Sequence, residues 1–299
     1  METDFRDLWD FIINNNKTYG TIFVDLRLCR ALLAFLVGAS LSLSGAILQG
    51  YFQNPMAGPF VVGVSSGASF GAVLSIYLGL NIHILGFSLQ SIFAFASGFA
   101  IVSFVYLLSQ RKGIFKVETL LLTGIAAGAL ASALTSFLIF LKAESFEQAI
   151  FWLLGSFALS DWNQITAVVP YFFLCFIVAQ WLAKDMNLLV LGDDIAQSLG
   201  CPVNNVRKIF LAISTLLAAS SVSVSGIIGF VGLIVPHWIR ILIGPDHKHL
   251  FLFSSLTGGV FLVYSDLLAR TLLPGELPIG IITAVIGTPF FIYLLNQRK

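Results

Sequence analysis

Long apolar stretches constrain this 299-residue chain more than any other feature. Nine of them approach or reach the roughly 20 residues that a helix needs to cross the hydrocarbon layer of a bilayer. They cover approximately 31–50, 60–80, 85–108, 119–141, 165–182, 209–226, 229–243, 250–268 and 277–295. None breaks into the alternating segments of about ten residues that build outer-membrane barrels. The sequence therefore predicts an all-α, polytopic membrane protein with nine visible spans.

Composition excludes several classes of soluble protein. Hydrophobic residues make up 58% of the chain and charged residues only 10%, whereas soluble globular proteins carry about 25% charged residues. A net charge of +1 provides no basic field for a nucleic acid. Cytosolic enzymes, nucleic-acid binders and disordered scaffolds are thus excluded. Because Cys29, Cys175 and Cys201 lie far apart and form no CxxC, neither a disulfide framework nor a thiolate metal site is expected.

The distribution of Lys and Arg predicts how the spans are oriented, because positive residues favour the cytoplasmic side. Ten positive residues fall in one set of loops and at the C-terminus: Arg111, Lys112, Lys116, Lys184, Arg207, Lys208, Arg240, Lys248, Arg298 and Lys299. The opposite internal loops carry only Lys142 and Arg270. The first set and the C-terminus are therefore predicted to be cytoplasmic, which places Met1 outside.

Residues 1–30 are accordingly expected to form a periplasmic or extracellular segment. They are mostly polar and contain no apolar core of a signal peptide, so nothing in them explains how the N-terminus would cross the membrane. A tenth helix upstream of residue 1 would remove this difficulty. A misplaced or trimmed start is the interpretation that we favour.

Charge within the spans is scarce. Asp266 is the clear ionisable residue, and Arg270 follows it by one helical turn. This i, i+4 spacing predicts a local ion pair. Proton- or sodium-coupled carriers usually need acidic residues or broken helices near the midplane. A secondary, ion-coupled transporter is therefore kept only as an alternative of a different class.

Catalytic and metal sites are not predicted. The segment 63–67 fits the letters GxSxG, but a nucleophile elbow needs a preceding strand, and small residues at this spacing favour close helix packing in membranes. No HExxH occurs, and Asp266 has no second intramembrane carboxylate. His247 and His249 flank Lys248 in what is predicted to be a solvated loop, with too few neighbouring ligands for a metal.

Small and weakly polar residues fill the first span. Ser40, Ser42, Ser44 and Gly45 suggest helices that line a wide, weakly polar path. Such a path suits a bulky solute whose movement is driven by another component.

Several sequence motifs resemble the FecCD family of ABC-importer permeases. The first two are Arg27-Leu28-Cys29-Arg30 and Asn54-Pro55-Met56-Ala57-Gly58-Pro59. The others are 192–200 (GDDIAQSLG), 226–240 (GxxGFxGLxxPHxxR) and 276–280 (ELPIG). The resemblance extends over residues 27–295. Two features depart from the family pattern: Cys29 replaces the usual proline, and the family's first of ten helices would lie upstream of residue 1.

The resemblance implies one transmembrane permease domain over residues 1–299, with the fold of the family's vitamin B12 permease. Residues 183–208 are then the cytoplasmic loop that couples the permease to its ATPases; a solvated connector is the alternative interpretation. The coupling residues carried over are Gly192, Asp193, Asp194, Ile195, Ala196, Leu199 and Gly200. Within this set, Ile195, Ala196 and Leu199 are predicted to share one helical face that docks in an ATPase groove.

The resemblance also assigns docking and gate residues. Arg27, Arg30 and Arg270 are predicted to receive glutamates of a substrate-binding protein, with anchoring to lipid headgroups as the alternative. Gate and pathway residues are Asn54, Met56, Val117 and Glu118, although an exposed loop acid is an equally simple interpretation of Glu118.

The family implies the following partners: a second identical or sister permease chain, two cytoplasmic ATPases, a periplasmic or lipid-anchored binding protein and membrane lipid. Because no GxxxxGK[ST] occurs, the chain is predicted to be no enzyme and to hold no cofactor, with ATP and Mg bound by the ATPases. The expected location is the cytoplasmic (inner) membrane of a bacterium or archaeon. A ferric siderophore is the expected substrate, with haem and vitamin B12 as alternatives within the family.

Overall fold

The structure is a computed structural model that describes residues 21–79, 82–84, 87–111, 114–115, 117–273 and 275–296. Predictions about residues 1–20, Lys112, Lys116, Arg298 and Lys299 lie outside the described residues. The described ranges contain twelve α-helices: α1 (Cys29–Tyr51), α2 (Val64–Leu78), α3 (Leu89–Ser109), α4 (Val117–Leu141), α5 (Phe146–Leu153), α6 (Trp162–Trp181), α7 (Ala183–Val190), α8 (Asp193–Ser198), α9 (Val203–Ser225), α10 (Val231–Ile243), α11 (His247–Thr271) and α12 (Ile279–Asn296).

Minor elements complete the chain. A π-helical segment, Thr21–Leu28, leads directly into α1, and a 3₁₀ turn covers Ala143–Ser145. Four two-residue strands form two antiparallel pairs. They are β1 (His83–Ile84) with β2 (Phe87–Ser88), and β3 (Gln110–Arg111) with β4 (Ile114–Phe115).

The predicted all-α membrane fold is confirmed. Six helical stretches are long and apolar enough to cross a membrane, and three further apolar helices are shorter. Each of the nine predicted spans coincides with one of these helices. The first begins earlier than predicted, because Thr21–Tyr51 is one helical stretch of 31 residues. The last ten residues of the predicted polar segment 1–30 thus belong to this helix.

Helix α1 lies at the centre of the chain. Nineteen of its 23 residues are buried, and it packs against α6, α9, α10 and α11. Glycines allow the backbones to touch: a Cβ at Gly45 would lie 1.6 Å from the carbonyl oxygen of Gly232, and one at Gly38 would lie 2.3 Å from that of Gly258. Close crossings of this kind are typical of small residues in membrane helices.

The prediction that the serines of the first span line a path is wrong. Ser40, Ser42 and Ser44 are fully buried inside the chain, and the Ser44 hydroxyl donates to the carbonyl oxygen of Ser214 at 2.9 Å. Surface that is already covered within one chain cannot face a path between two chains. Here the small side chains serve close helix packing.

Candidate coupling, gate and docking sites

The antiparallel course of α1 and α11 brings distant charged residues together at two ends of the molecule. Arg30 near the start of α1 meets Asp266 near the end of α11. At the opposite end, Tyr51 closes α1 and receives a hydrogen bond from Arg207 of α9. We call these the Arg30 end and the Arg207 end. The charge distribution predicts that the Arg207 end faces the cytoplasm.

The predicted coupling loop, 183–208, folds into α7, α8 and the first turns of α9 at the Arg207 end. Two glycines with positive φ delimit α8: Gly192 at +109° and Gly200 at +85°, a backbone region that favours glycine over residues with a Cβ. Side chains of Ile195 and Leu199, one helical turn apart, are 51% and 61% exposed. They form a small apolar patch on the outer face of α8.

Ala196 does not belong to this patch, so the prediction of a shared face is wrong for that residue. Its side chain is fully buried on the side where α8 packs against α7 and α9. The reason is geometric: neighbouring residues on a helix point about 100° apart, whereas residues four apart share a face.

A buried arginine connects α8 to the core. Arg207 donates from Nη2 to Oδ1 of Asp193 at 2.6 Å and from Nη1 to the backbone carbonyl of Tyr51 at 3.1 Å. Its guanidinium carbon also lies 5.1 Å from the centre of the Tyr51 ring. The family resemblance predicts Asp193 as a coupling residue, whereas the sequence indicates no role for Arg207 beyond its positive charge.

A second polar group joins α7 to the start of α11. The side-chain amide of Asn187 donates to Asp246 at 2.8 Å, and its oxygen accepts from the backbone N–H of His247 at 3.0 Å. The hydrogen bond from Asn187, followed by that from the Lys248 backbone, lowers the pKa of the Asp246 carboxyl. His247 is buried rather than solvated as predicted, because its ring packs against that of Phe251 one turn further along α11, with the ring centres 5.4 Å apart. His249 is exposed.

The predicted gate residue Asn54 lies in the turn after α1. Its side-chain oxygen accepts from the Met56 backbone N–H at 3.0 Å, which fixes the turn, and Asn54 is exposed while Met56 is half-buried. Gln53, whose φ is +49°, donates from its amide to the carbonyl of Leu189 in α7 at 2.9 Å. The turn is thus tied to the coupling loop.

The other two gate residues begin α4. Val117 is its first residue, and the side chain of Glu118 in the first turn is exposed. Among the described side chains, no hydrogen bond or ion pair joins Glu118 to Asn54 or Met56. Their common role at a gate stays a prediction.

The predicted docking arginines differ in how their charge is held. Arg30 is 12% exposed and donates to Asp266 at 2.8–3.1 Å and to Glu276 at 3.0–3.1 Å. Arg270 lies 3.3 Å from Asp266, as the i, i+4 spacing predicts. Asp266, only 3% exposed, therefore balances two arginines.

Arg27 is exposed, and its guanidinium lies 5.3 Å from the ring centre of Phe23. Arg27 and the one-third-exposed Arg270 are thus accessible at the surface of the chain, whereas the nitrogens of Arg30 donate to Asp266 and Glu276 within it. The contact between Arg30 and Asp266 could not be predicted from sequence spacing, because the two residues are 236 positions apart. Glu276 is the first residue of the 276–280 motif, but the resemblance assigns it no individual role.

This architecture, a bundle of apolar helices with a polar loop that contains α7 and α8, is that of a multi-pass membrane protein. The family comparison is specific: the sequence model of the FecCD transport family matches residues 1–297. The chain belongs to this family, whose members are permease subunits of ABC importers.

Individual relatives are similar to this chain in sequence over most of their own length. The cobalamin import system permease protein BtuC of Halobacterium salinarum is 43% identical over 95% of this chain and 75% of that protein. The hemin transport system permease protein HmuU of Yersinia pestis is 36% identical over 100% of this chain and 90% of that protein. An inward-facing structure described as a metal-chelate type ABC transporter superposes with a TM-score of 0.87 at 36% identity, covering 94% of this chain and 89% of that one.

Proposed function

We propose that this chain is the membrane subunit of an ATP-driven importer that carries a bulky metal chelate, first of all a ferric siderophore, across a bacterial or archaeal cytoplasmic membrane. The chain itself hydrolyses nothing. Two partner ATPases supply the energy, a second permease chain completes the path, and a binding protein delivers the substrate. The apolar patch of Ile195 and Leu199 on α8, backed by a buried connection to the core, is the observation that carries this proposal.

The ATPase contact is tested at the patch itself. Ile195→Asp and Leu199→Asp would each place a desolvated charge in the proposed groove, so we expect the copurified ATPase to fall about tenfold or more. Gln197→Asp, on the same exposed helix but outside the patch, is the matched control. Ala196→Asp is unsuitable, because it would disrupt packing inside the chain. Equal ATPase recovery with all three variants would contradict docking at this patch.

The substrate is tested by uptake into proteoliposomes that contain the assembled complex and the binding protein. We expect a ferric hydroxamate siderophore to be accumulated in preference to haemin and cyanocobalamin. Cobalamin is the second candidate, because the 43% identical relative is named as a cobalamin permease. Preferential uptake of cyanocobalamin would replace the siderophore assignment with that candidate.

Docking of the binding protein is proposed at Arg27 and Arg270. Arginine can hold a carboxylate through two parallel hydrogen bonds, and rim charges act mainly on association rate and its salt dependence. Reversing both arginines to Glu should slow association at low salt and weaken its salt dependence, while Lys208→Glu at the opposite end should not. An unchanged association rate in the double reversal would exclude this docking surface.

The gate proposal places Val117 and Glu118 of two permease chains near a common axis. A cysteine introduced at Val117 in both chains should then cross-link in at least one nucleotide state. The absence of cross-linking in the nucleotide-free, ATP-bound and vanadate-trapped states would show that the gate lies elsewhere.

Ion-coupled transport is the alternative of a different class. The ion pairs that bind Asp266 to Arg30 and Arg270 argue against it, because they give this intramembrane carboxylate a structural role within the chain. Uptake should therefore be blocked by vanadate and survive a protonophore. The reverse pattern would favour ion coupling.

A further inference from the structure

Arg207 is a charged residue in an environment where charge is costly. Its side chain is only 8% exposed, and an arginine at such a position is retained when its charge is paired and hydrogen-bonded. Nη1 and Nη2 both donate hydrogen bonds, whereas the buried Nε has no partner among the described residues. The partners come from two other elements: the Asp193 carboxylate of α8 and the Tyr51 carbonyl of α1, at 2.6 and 3.1 Å. One guanidinium therefore joins α1, α8 and α9.

Both contacts fall at helix ends, which explains why an arginine is suited to this position. The last carbonyl groups of a helix lack intrahelical partners and carry a partial negative charge, and Arg207 satisfies one of them at Tyr51. Asp193 occupies the first turn of α8, where a negative side chain is favoured. Arg207 thus joins the negative end of α1 to an acid at the start of α8.

The two faces of α8 have different surroundings. Ile195 and Leu199 face outward, while Ala196 and the Asp193–Arg207 pair fix the helix to the rest of the chain. Helix α1, which Arg207 joins to α8, packs against α10 and α11. The Arg207 side chain therefore links a displacement of α8 directly to α1, in addition to the packing of α8 on α7 and α9.

We propose that Arg207 is the positioning residue that makes α8 and the end of α1 move as one unit, so that force from the ATPases reaches the permease core. This inference rests on the proposed ATPase coupling. The buried guanidinium holds the Tyr51 carbonyl and the half-exposed Asp193 carboxylate at the same time, so the end of α1 and the start of α8 stay joined while α8 moves. Lysine cannot replace it fully, since one ammonium lacks the planar fork that reaches both partners and stacks on Tyr51.

The first experiment measures the connection in the full chain without partners. Spin labels on cysteines introduced at the exposed positions Gln197 and Asn54 report the distance between α8 and the turn after α1. We expect a narrow distance distribution in the otherwise unchanged chain and with Lys208→Gln, the exposed neighbour on α9. Arg207→Gln and Asp193→Asn should broaden it. An equally narrow distribution in Arg207→Gln would overturn the inference, whether or not an ATPase binds.

The second experiment measures transport per ATP hydrolysed in the assembled complex. Arg207→Gln should still assemble and hydrolyse ATP but lose about tenfold in transport per ATP, within the usual range of coupling between sites. Arg207→Lys should lie between Arg207→Gln and the unchanged chain, and Lys208→Gln should match the unchanged chain. Full coupling in Arg207→Gln would contradict the role of Arg207. Failure of the unchanged chain to bind any ATPase would instead contradict the proposed function.

Discussion

Helices α1 and α4 are both long and apolar, but they occupy opposite environments within the chain. Of the most apolar 18-residue window of each helical stretch, 83% is buried for α1 and 22% for α4. Both contain glycines at close crossings. In α4, Gly124 and Gly128 face the segment from Val61 to Ser66, whereas α1 packs against α6, α9, α10 and α11. How small residues are distributed around a helix, rather than its hydropathy, determines whether the helix is central or peripheral.

The largest expected difference comes from removing the same side chain in each helix. Leu43 in α1 is fully buried, while Leu130 in α4 is 64% exposed. Leu43→Ala should lower the free energy of unfolding by about 2–5 kcal/mol, as cavity formation in a packed core does. Leu130→Ala should change it by less than about 1 kcal/mol. Steric trapping in bicelles measures both, and equal losses would remove the distinction between the two helices.

Adding a methyl group tests the same contrast. Gly45→Ala places a Cβ 1.6 Å from a backbone oxygen of α10, whereas at Gly128 the nearest atom is a serine oxygen at 3.4 Å. Gly45→Ala should cost up to about 3 kcal/mol through overpacking. Gly128→Ala should be neutral or gain up to about 1 kcal/mol from helix propensity. Thermal unfolding of the two variants in one detergent measures both changes. If Gly45→Ala did not lower the unfolding temperature, the close crossing of α1 and α10 would not be a constraint on stability.

Polar contacts hold the ends of α1, whereas in the part of the chain that the structure describes no ion pair reaches α4. Asp266→Asn weakens the bonding of the nearly buried Arg30, so we expect a loss of about 1–2 kcal/mol. Glu276→Gln alters the half-exposed partner of the same arginine and should cost under about 1 kcal/mol. If Glu276→Gln proved the more damaging change in unfolding measurements, the buried ion pair would not be the main contact.

The smallest expected effect is the change in stability with pH that arises from Asp246 at the Arg207 end. The pKa of Asp246 is lowered in the folded chain, chiefly by the Asn187 hydrogen bond. The ionised carboxyl therefore stabilises the fold above about pH 4, the ordinary aspartate range, and this contribution is lost as pH falls through the lowered value. Asp246→Asn should flatten this acid limb of a stability curve. An unchanged curve would show that the hydrogen bonds contribute nothing measurable.

Features set by short sequence distances could be predicted, and those set by distant contacts could not. The spans, the Asp266–Arg270 pair and the shared face of Ile195 and Leu199 follow from local periodicity. The Arg30–Asp266 contact, by contrast, depends on how two helices far apart in sequence pack.

The burial of α1 also could not be predicted from its own sequence. Serine and glycine suit a helix that lines a polar path and equally one that packs closely on its neighbours. The sequence of one helix does not distinguish these cases, because the answer lies in α9, α10 and α11. Ala196 was misplaced for a related reason: a six-residue helix presents few side chains to each neighbour, so its orientation is set by what it packs against.

The central position of α1 has a consequence for how the protein is made. Gly258 follows Gly38, its crossing partner, by 258 − 38 = 220 residues. At synthesis rates of about 5–20 residues per second, roughly 10–40 s separate the insertion of the two helices. Throughout that interval α1 waits in the bilayer without the surfaces that later enclose it. A nascent chain stalled before α9 is therefore the species that we expect membrane quality-control proteases to remove.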